Sequence, residues 1–130
     1  MINIARLLCS RGGAMDNLRY SKSREFGPVV VYNCTKRCNL LCRHCYSSSQ
    51  GDRCRSELST SQARGLIDQL SAMNCPVVLF SGGEPLLRQD IFELLDHAGK
   101  QGLRTVLSSN GTLIDEKTAM RIKQAGVSYV

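Results

Sequence analysis

The sequence predicts an α/β fold in which parallel strands alternate with helices. Short apolar runs recur along the chain, as is typical of strands buried on both faces of a parallel sheet. Segments with helical periodicity separate these runs, and such alternation indicates parallel strands joined by crossover connections. The chain has 130 residues, of which 42% are hydrophobic, so one core of this kind can form.

The first strand is predicted at Val29–Asn33, directly after a proline. Residues 34–57 follow as a long connection without regular patterning, and such a connection inside a compact domain is usually functional or disordered. Residues 1–27 contain scattered charges and little pattern. We therefore interpret 1–27 as a lead-in segment and 28–130 as one domain.

Two helix-capping motifs predict where the next two helices begin. Ser59 and Gln62 have the spacing of a capping box, and apolar residues then recur at helical spacing up to Met73. A second strand is predicted at Val77–Phe80. Asp90 and Glu93 form a similar pair, which predicts a second capped helix.

The last third of the chain repeats the pattern. A third strand is predicted at Leu103–Leu107 and a third helix at about residues 115–125, which ends at Gly126. Residues 127–130 then begin a fourth strand. Because the carboxyl ends of parallel strands share one edge, we expect the loops that follow the strands to converge there on one site.

Composition limits the class of protein. Seven cysteines, three of them bunched, do not suit the even, distributed set of a secreted disulfide framework, so we expect a reducing, cytoplasmic compartment. No apolar stretch approaches the length of a membrane span. Lys and Arg outnumber Asp and Glu by 17 to 11, but the positive residues are scattered, which favours small anionic ligands over nucleic acid.

The connection after the first strand contains Cys38, Cys42 and Cys45 in the spacing C-x3-C-x2-C. Three thiolates can hold three irons of a [4Fe–4S] cluster, which leaves the fourth iron without a ligand from this loop. An open coordination position of this kind distinguishes catalytic metal sites from structural ones. Zinc is the poorer match, because its sites typically contain C-x2-C pairs and no second pair follows. Cys34 stays open as a fourth ligand, which would make the protein a non-catalytic electron carrier.

These cysteines and two further motifs resemble the radical S-adenosylmethionine (radical SAM) family. The motifs are Gly82-Gly83-Glu84-Pro85 after the second strand and Ser108-Ser109-Asn110-Gly111 after the third. The resemblance implies an enzyme whose [4Fe–4S] cluster is held by the three cysteines and whose open iron is chelated by SAM. One electron would then cleave SAM to methionine and a 5′-deoxyadenosyl radical, which abstracts a hydrogen atom from substrate.

The resemblance also implies a set of SAM-binding residues: Tyr46, Gly82, Gly83, Glu84, Pro85, Ser109 and Asn110. The tyrosine would lie near the adenine, and the two glycines would let the backbone approach the ligand closely. The glutamate would offer its carboxylate to the methionine ammonium, and the proline would stiffen the loop. The Ser–Asn pair would hydrogen-bond the ribose or the carboxylate. Without the resemblance, the glutamate could be an ordinary helix N-terminal carboxylate and the Ser–Asn pair a plain turn.

More narrowly, the stretches Gly27–Val30, Cys38–Leu40 and SSNGTLID resemble the radical SAM proteins of haem d1 and alternative haem biosynthesis. This implies a sirohaem-derived tetrapyrrole as substrate and a reductant such as flavodoxin or ferredoxin. Peptide-modifying relatives share much of the pattern and supply the alternative. The family core is a partial (β/α)6 TIM-like barrel, so we expect this chain to be its first half. Either the chain is a fragment, which we favour, or a partner supplies the rest, and we expect the chain to be inactive alone.

Overall fold

The computed structural model describes residues 27–49 and 57–130. Most of the predicted lead-in segment, together with Cys9 and Cys54, lies outside these ranges. The described strands form one parallel sheet in the order β1-β2-β3, with β1 at Val30–Thr35, β2 at Val77–Gly82 and β3 at Arg104–Leu107. The helices are α1 (Thr60–Ala72), α2 (Ile91–Lys100) and α3 (Glu116–Gln124), and a 3-10 turn at Pro85–Leu87 follows β2. The α/β class with parallel strands is confirmed.

The helices cover one face of the sheet. Strand residues such as Tyr32 and Phe80 point into this core, where their rings meet edge to face with centroids 5.8 Å apart. On the opposite face, Val77 and Val106 form a smaller apolar group with partly buried neighbours. Val31 on that face remains half exposed. Among the described residues, no helix is long and apolar enough to cross a membrane.

Strand β1 extends two residues beyond its predicted end. Its pairing with β2 is regular as far as Asn33 and then shifts, so that Thr35 lies opposite Gly82 and Cys34 is the extra residue. A bulge of this type disturbs the alternation of side chains. Cys34 and Thr35 are consequently both buried, although they are neighbours in sequence.

The two predicted helix caps have different outcomes. The capping box of α1 is confirmed, because Ser59 Oγ accepts from Gln62 N at 3.3 Å and Gln62 Oε1 accepts from Ser59 N at 2.9 Å. The predicted cap on α2 is wrong, because the Asp90 side chain makes no capping hydrogen bond. Its carboxylate instead accepts from Arg88 and from Thr60.

A row of polar contacts joins α1 to α2 along their length. The contacts pair Thr60 with Asp90, Arg64 with Glu93, Asp68 with His97, and Ser71 with the carbonyl of Gln101. Their distances lie between 2.7 and 3.3 Å. The two helices are therefore fixed side by side in one register.

The predicted fourth strand is reduced to a single parallel bridge between Val106 and Tyr129. Two backbone hydrogen bonds accompany it, from Leu107 N to Tyr129 O at 2.9 Å and from Ser128 N to Thr105 O at 2.9 Å. The turn that ends α3 includes Gly126 at a φ of +70°. Ser128 and Tyr129, after this turn, therefore lie alongside β3.

Candidate functional site

The three predicted loops meet at the carboxyl edge of the sheet. We call them the cysteine loop (residues 36–57, described as far as 49 and again at 57), the glycine loop (Gly82–Pro85) and the β3 loop (Ser108–Thr112). Hydrogen bonds join the glycine loop to the β3 loop and the β3 loop to the cysteine loop. The predicted convergence of the loops is confirmed.

The glycine loop lies against the start of the cysteine loop. Gly83 N donates to Thr35 O and Glu84 N donates to Arg37 O, each at 2.8 Å. A Cβ atom at Gly82 or Gly83 would lie 2.1 Å from the carbonyl oxygen of Thr35 or Arg37, respectively. Gly82 also adopts a φ of +127°, which favours glycine. Both glycines are therefore required for two chain segments to approach each other, a reason that the motif alone does not reveal.

Glu84 is fully buried and braces two loops. Its Oε1 accepts from Leu86 N at 3.0 Å and from Ser109 Oγ at 2.9 Å, and its Oε2 accepts from Asn110 N at 2.7 Å. A buried carboxylate is stable only when it is hydrogen-bonded in this way. The side chain is thus enclosed between the loops, whereas the family resemblance implies that it faces a ligand ammonium. Its role in SAM binding remains a prediction.

Pro85, also buried, occupies the first position of the 3-10 turn. Its ring fixes the backbone where no amide donor is needed. The turn is held from the other side by Arg37, whose Nη2 donates to Leu87 O at 2.7 Å. The predicted stiffening of the glycine loop therefore has a structural basis on both sides.

Asn110 connects the β3 loop to the cysteine loop. Its Nδ2 donates to Asn39 Oδ1 at 2.9 Å and lies 3.9 Å from Cys38 Sγ. Its Oδ1 accepts from the Thr112 amide at 3.0 Å and from the Thr112 hydroxyl at 2.7 Å. Asn39 Nδ2 in turn donates to Thr112 Oγ1 at 2.7 Å. Asn39 and Thr112 were not predicted as site residues, although Asn39 lies inside the cysteine motif.

The cysteines lie on a stretch without helix or strand. Cys42 is exposed, and Cys38 and Cys45 are partly covered; all three are free thiols. Hydrogen bonds from Ser47 Oγ and Ser49 N lower the pKa of the Cys45 thiol to about 7. Within the two described ranges, no three Cys, His, Asp or Glu side chains are close enough to hold a metal ion. The structure thus puts the three thiols on one loop but does not gather their sulfur atoms.

The donor set nevertheless fits an iron–sulfur cluster. Three free thiols on one exposed loop are the ligand type that such clusters require, and one of them ionises near neutral pH. Cys34 is less suitable as a fourth ligand. It is buried in the core beneath the sheet, and this burial raises the pKa of its thiol to about 12, which disfavours the thiolate that a metal would need.

Tyr46 lies over the ends of β1 and β2. The residue is 72% exposed, and its hydroxyl donates to Asn33 Oδ1 at 3.1 Å. The same hydroxyl is 2.8 Å from Ser81 Oγ. The ring is therefore held at its tip while its faces remain open, as the predicted position beside an adenine would require.

Arg88 and Glu57 are structural residues that sequence reasoning missed. Arg88 Nη1 donates to Cys34 O at 2.7 Å and Nη2 to Leu58 O at 2.8 Å, so one guanidinium holds the segments before and after the cysteine loop. Glu57 Oε1 also accepts from Thr35 Oγ1 at 2.6 Å. In the sequence, Arg88 is visible only as an arginine directly after an apolar turn. The two residues whose carbonyls it binds lie 54 and 30 positions away along the chain.

Known proteins resemble this chain in sequence. The chain is 44% identical along its whole length to the Fe-coproporphyrin III synthase of Methanosarcina barkeri, of which it covers 36%. Over 79% of its length it is 41% identical to the pre-heme d1 synthase of Dinoroseobacter shibae, of which it covers 26%. Over 78% of its length it is 41% identical to the mycofactocin maturase MftC of Mycobacterium tuberculosis, of which it covers 25%. The chain therefore spans about a third or less of each relative.

The fold has counterparts among solved structures. A crystal structure of BtrN in complex with AdoMet and 2-DOIA matches with a TM-score of 0.66 and 22% identity, over 80% of this chain and 44% of that one. At this identity the likeness shows the fold alone. The model of the radical SAM superfamily matches residues 32–130, a range that contains the cysteine motif and all three loops of the site. This chain is a member of the radical SAM superfamily.

Proposed function

We propose that this chain carries the cluster loop and the first part of the SAM site of an enzyme of haem or haem d1 biosynthesis that acts on a tetrapyrrole. The observation that carries the proposal is the meeting of a three-thiol loop with the glycine and β3 loops at one sheet edge. Similarity to an Fe-coproporphyrin III synthase and a pre-heme d1 synthase supports the substrate class. On this proposal, residues 28–130 are the first part of the core domain and 1–27 lead into it.

Cys38, Cys42 and Cys45 would hold three irons of a [4Fe–4S] cluster. When bound, the cluster supplies the electron that cleaves SAM into methionine and a 5′-deoxyadenosyl radical. Tyr46 would offer an open ring face to the adenine. Gly82 packs against Thr35 and Gly83 against Arg37, and their backbone would line the binding site for the methionine part of SAM. Pro85 would fix the conformation of the loop.

The β3 loop would complete this part of the site. Ser109 and Asn110 would border the ribose or the carboxylate of SAM, while Glu84 keeps their loop aligned with the glycine loop. A reductant such as flavodoxin or ferredoxin would deliver the electron. The free thiols of the described residues suit a reducing compartment, the cytoplasm.

The first test is EPR spectroscopy of the chain after anaerobic reconstitution with iron and sulfide and reduction with dithionite. We expect a [4Fe–4S]⁺ signal that changes when SAM is added, because SAM would ligate the iron that lacks a cysteine. Cys42→Ser should remove most of the cluster, because one of three ligands is lost. Cys34→Ala is the control and should keep both the cluster and its response to SAM.

A cluster signal that SAM leaves unchanged would contradict the proposal. If Cys34→Ala then lost the cluster, four cysteine ligands and a non-catalytic electron carrier would be the better description.

The substrate class has its own test. Addition of a sirohaem-derived tetrapyrrole to the reconstituted chain should perturb the intense tetrapyrrole absorption band in a saturable way. The similarity to a mycofactocin maturase favours a peptide as the second candidate. Saturable binding of a precursor peptide, with no change of the tetrapyrrole band, would favour that candidate.

A further inference from the structure

We propose that Asn39, Asn110 and Thr112 form a bridge that positions Cys38 relative to the glycine loop. The inference rests on the proposed function and extends it from ligand contacts to the hydrogen bonds that orient the cysteine loop. Asn39 is the residue after the first cysteine of the motif, and Thr112 lies two residues beyond Asn110. All three are exposed, so their contacts are not a by-product of core packing.

The bridge is a closed set of hydrogen bonds between side chains. Asn39 uses both ends of its amide: Nδ2 donates to Thr112 Oγ1 at 2.7 Å, and Oδ1 accepts from Asn110 Nδ2 at 2.9 Å. The Thr112 hydroxyl donates to Asn110 Oδ1 at 2.7 Å. Each residue therefore contacts both of the others, and none can move without breaking two of these bonds. Such closed networks hold groups more firmly than separate pairs.

The bridge continues into the core through the backbone. Asn110 N donates to the buried Glu84 carboxylate at 2.7 Å, and Glu84 N is fixed to Arg37 O at 2.8 Å. A continuous path thus leads from the glycine loop through Glu84 and Asn110 to Asn39, the neighbour of Cys38. The path connects the two loops that the proposed function assigns to SAM and to the cluster.

Asn110 consequently has a positioning role in addition to the contact with SAM that its motif implies. Both ends of its side-chain amide are engaged by the protein, and Nδ2 also lies 3.9 Å from Cys38 Sγ. We assign it as a positioning residue. Its predicted contact with SAM would need one of these bonds to be exchanged.

The Thr112 hydroxyl is the most suitable group for a test of the bridge by substitution. Thr112→Val keeps the shape of the side chain but removes two hydrogen bonds, whereas Thr112→Ser keeps the hydroxyl and loses only a methyl group. Because the position is exposed, neither change should affect folding measurably.

The first measurement uses the metal-free full chain and NMR spectroscopy. In Thr112→Val, the side-chain amide signals of Asn39 and Asn110 and the backbone amides of residues 38–41 should shift and exchange faster with solvent. Thr112→Ser should resemble the unsubstituted chain. Identical cysteine-loop signals in all three proteins would overturn the proposal.

The second measurement uses the reconstituted chain. The SAM concentration that gives half of the EPR change should rise roughly three- to tenfold in Thr112→Val, the loss expected for hydrogen bonds of ordinary net strength, and recover in Thr112→Ser. The midpoint potential of the cluster should also shift, since hydrogen bonding near its sulfurs influences it. Equal SAM response and equal potential in both variants would overturn the inference while leaving the proposed function intact. An unsubstituted chain that does not respond to SAM would instead contradict the proposed function, and the NMR measurement would still decide on the bridge.

Discussion

The base of the cysteine loop and its tip are held in different ways. At the base, Arg88 is only 5% exposed and its guanidinium donates to carbonyls on both sides of the loop as well as to Asp90. At the tip, residues 40–45, Leu41 is 82% exposed and the hydrogen bonds are local, such as Cys45 N to Cys42 O at 3.3 Å. The protein thus secures where the loop begins and ends, and leaves the exposed Cys42 accessible to an incoming metal.

Removal of the arginine tests the base with the largest expected effect. Arg88→Met should lower the free energy of unfolding by about 3 kcal/mol or more, because it leaves a carboxylate and two carbonyls without their partner. Urea denaturation measures this loss. Arg64→Met is the matched control: its ion pair with Glu93 is half exposed, so its loss should be within about 0.5 kcal/mol. Equal losses in the two variants would show that the base is not specially secured.

The same contact gives the base a pH dependence. Burial opposes ionisation of Asp90, but hydrogen bonds from Arg88 and Thr60 outweigh it and hold the pKa of the carboxyl below its usual range. A depressed carboxyl pKa adds stability that is complete above the unfolded pKa of about 3.9 and disappears as the pH falls through the folded value. In Arg88→Met, the free energy of unfolding should therefore depend less on pH in the acidic range.

Truncation at the tip should have a much smaller effect. Leu41→Ala should change the free energy of unfolding of the metal-free chain by no more than about 0.5 kcal/mol, since the side chain is mostly in water already. Urea denaturation again provides the measurement. A loss comparable to that of Arg88→Met would mean that the tip packs against the protein and that the contrast with the base is false.

The smallest expected effect concerns a proton at the tip. Because hydrogen bonds from Ser47 and Ser49 lower the pKa of Cys45 to about 7, its thiolate should predominate above pH 7 and its thiol below. In the metal-free chain, the rate of alkylation of Cys45 by iodoacetamide should therefore rise with a midpoint near pH 7. Ser47→Ala should move the midpoint upward. A midpoint unchanged by this substitution would assign the shift to another cause.

Local sequence patterns predicted the helices and strands. Contacts between residues far apart in the sequence explain where these predictions failed. The capping box at Ser59 is a contact over three residues and was readable in the sequence. The cap expected at Asp90 failed because Arg88 and Thr60 engage the carboxylate, and Thr60 is 30 residues away. The bulge that lengthens β1 likewise depends on its pairing with Gly82, which no property of the strand itself reveals.

The sequence predicted which loops form the candidate site, but it did not predict where their side chains point. The motifs identified Glu84, and the parallel topology correctly predicted that its loop meets the β3 loop. Its carboxylate turns inward because Ser109 and Asn110, 25 and 26 residues later, offer two donors in a buried position. The bridge through Thr112 was missed for a similar reason, since its contact with Asn39 joins residues 73 positions apart.

The row of contacts between α1 and α2 limits how the sheet edge can move. A shear movement, in which α2 slides along α1, would break four contacts together, from Thr60–Asp90 at one end to Ser71–Gln101 at the other. Sliding would therefore lose all four contacts at once, although the three exposed ones each contribute little. Adjustment to an arriving ligand by rotation of backbone dihedrals in the loops would leave all four contacts in place.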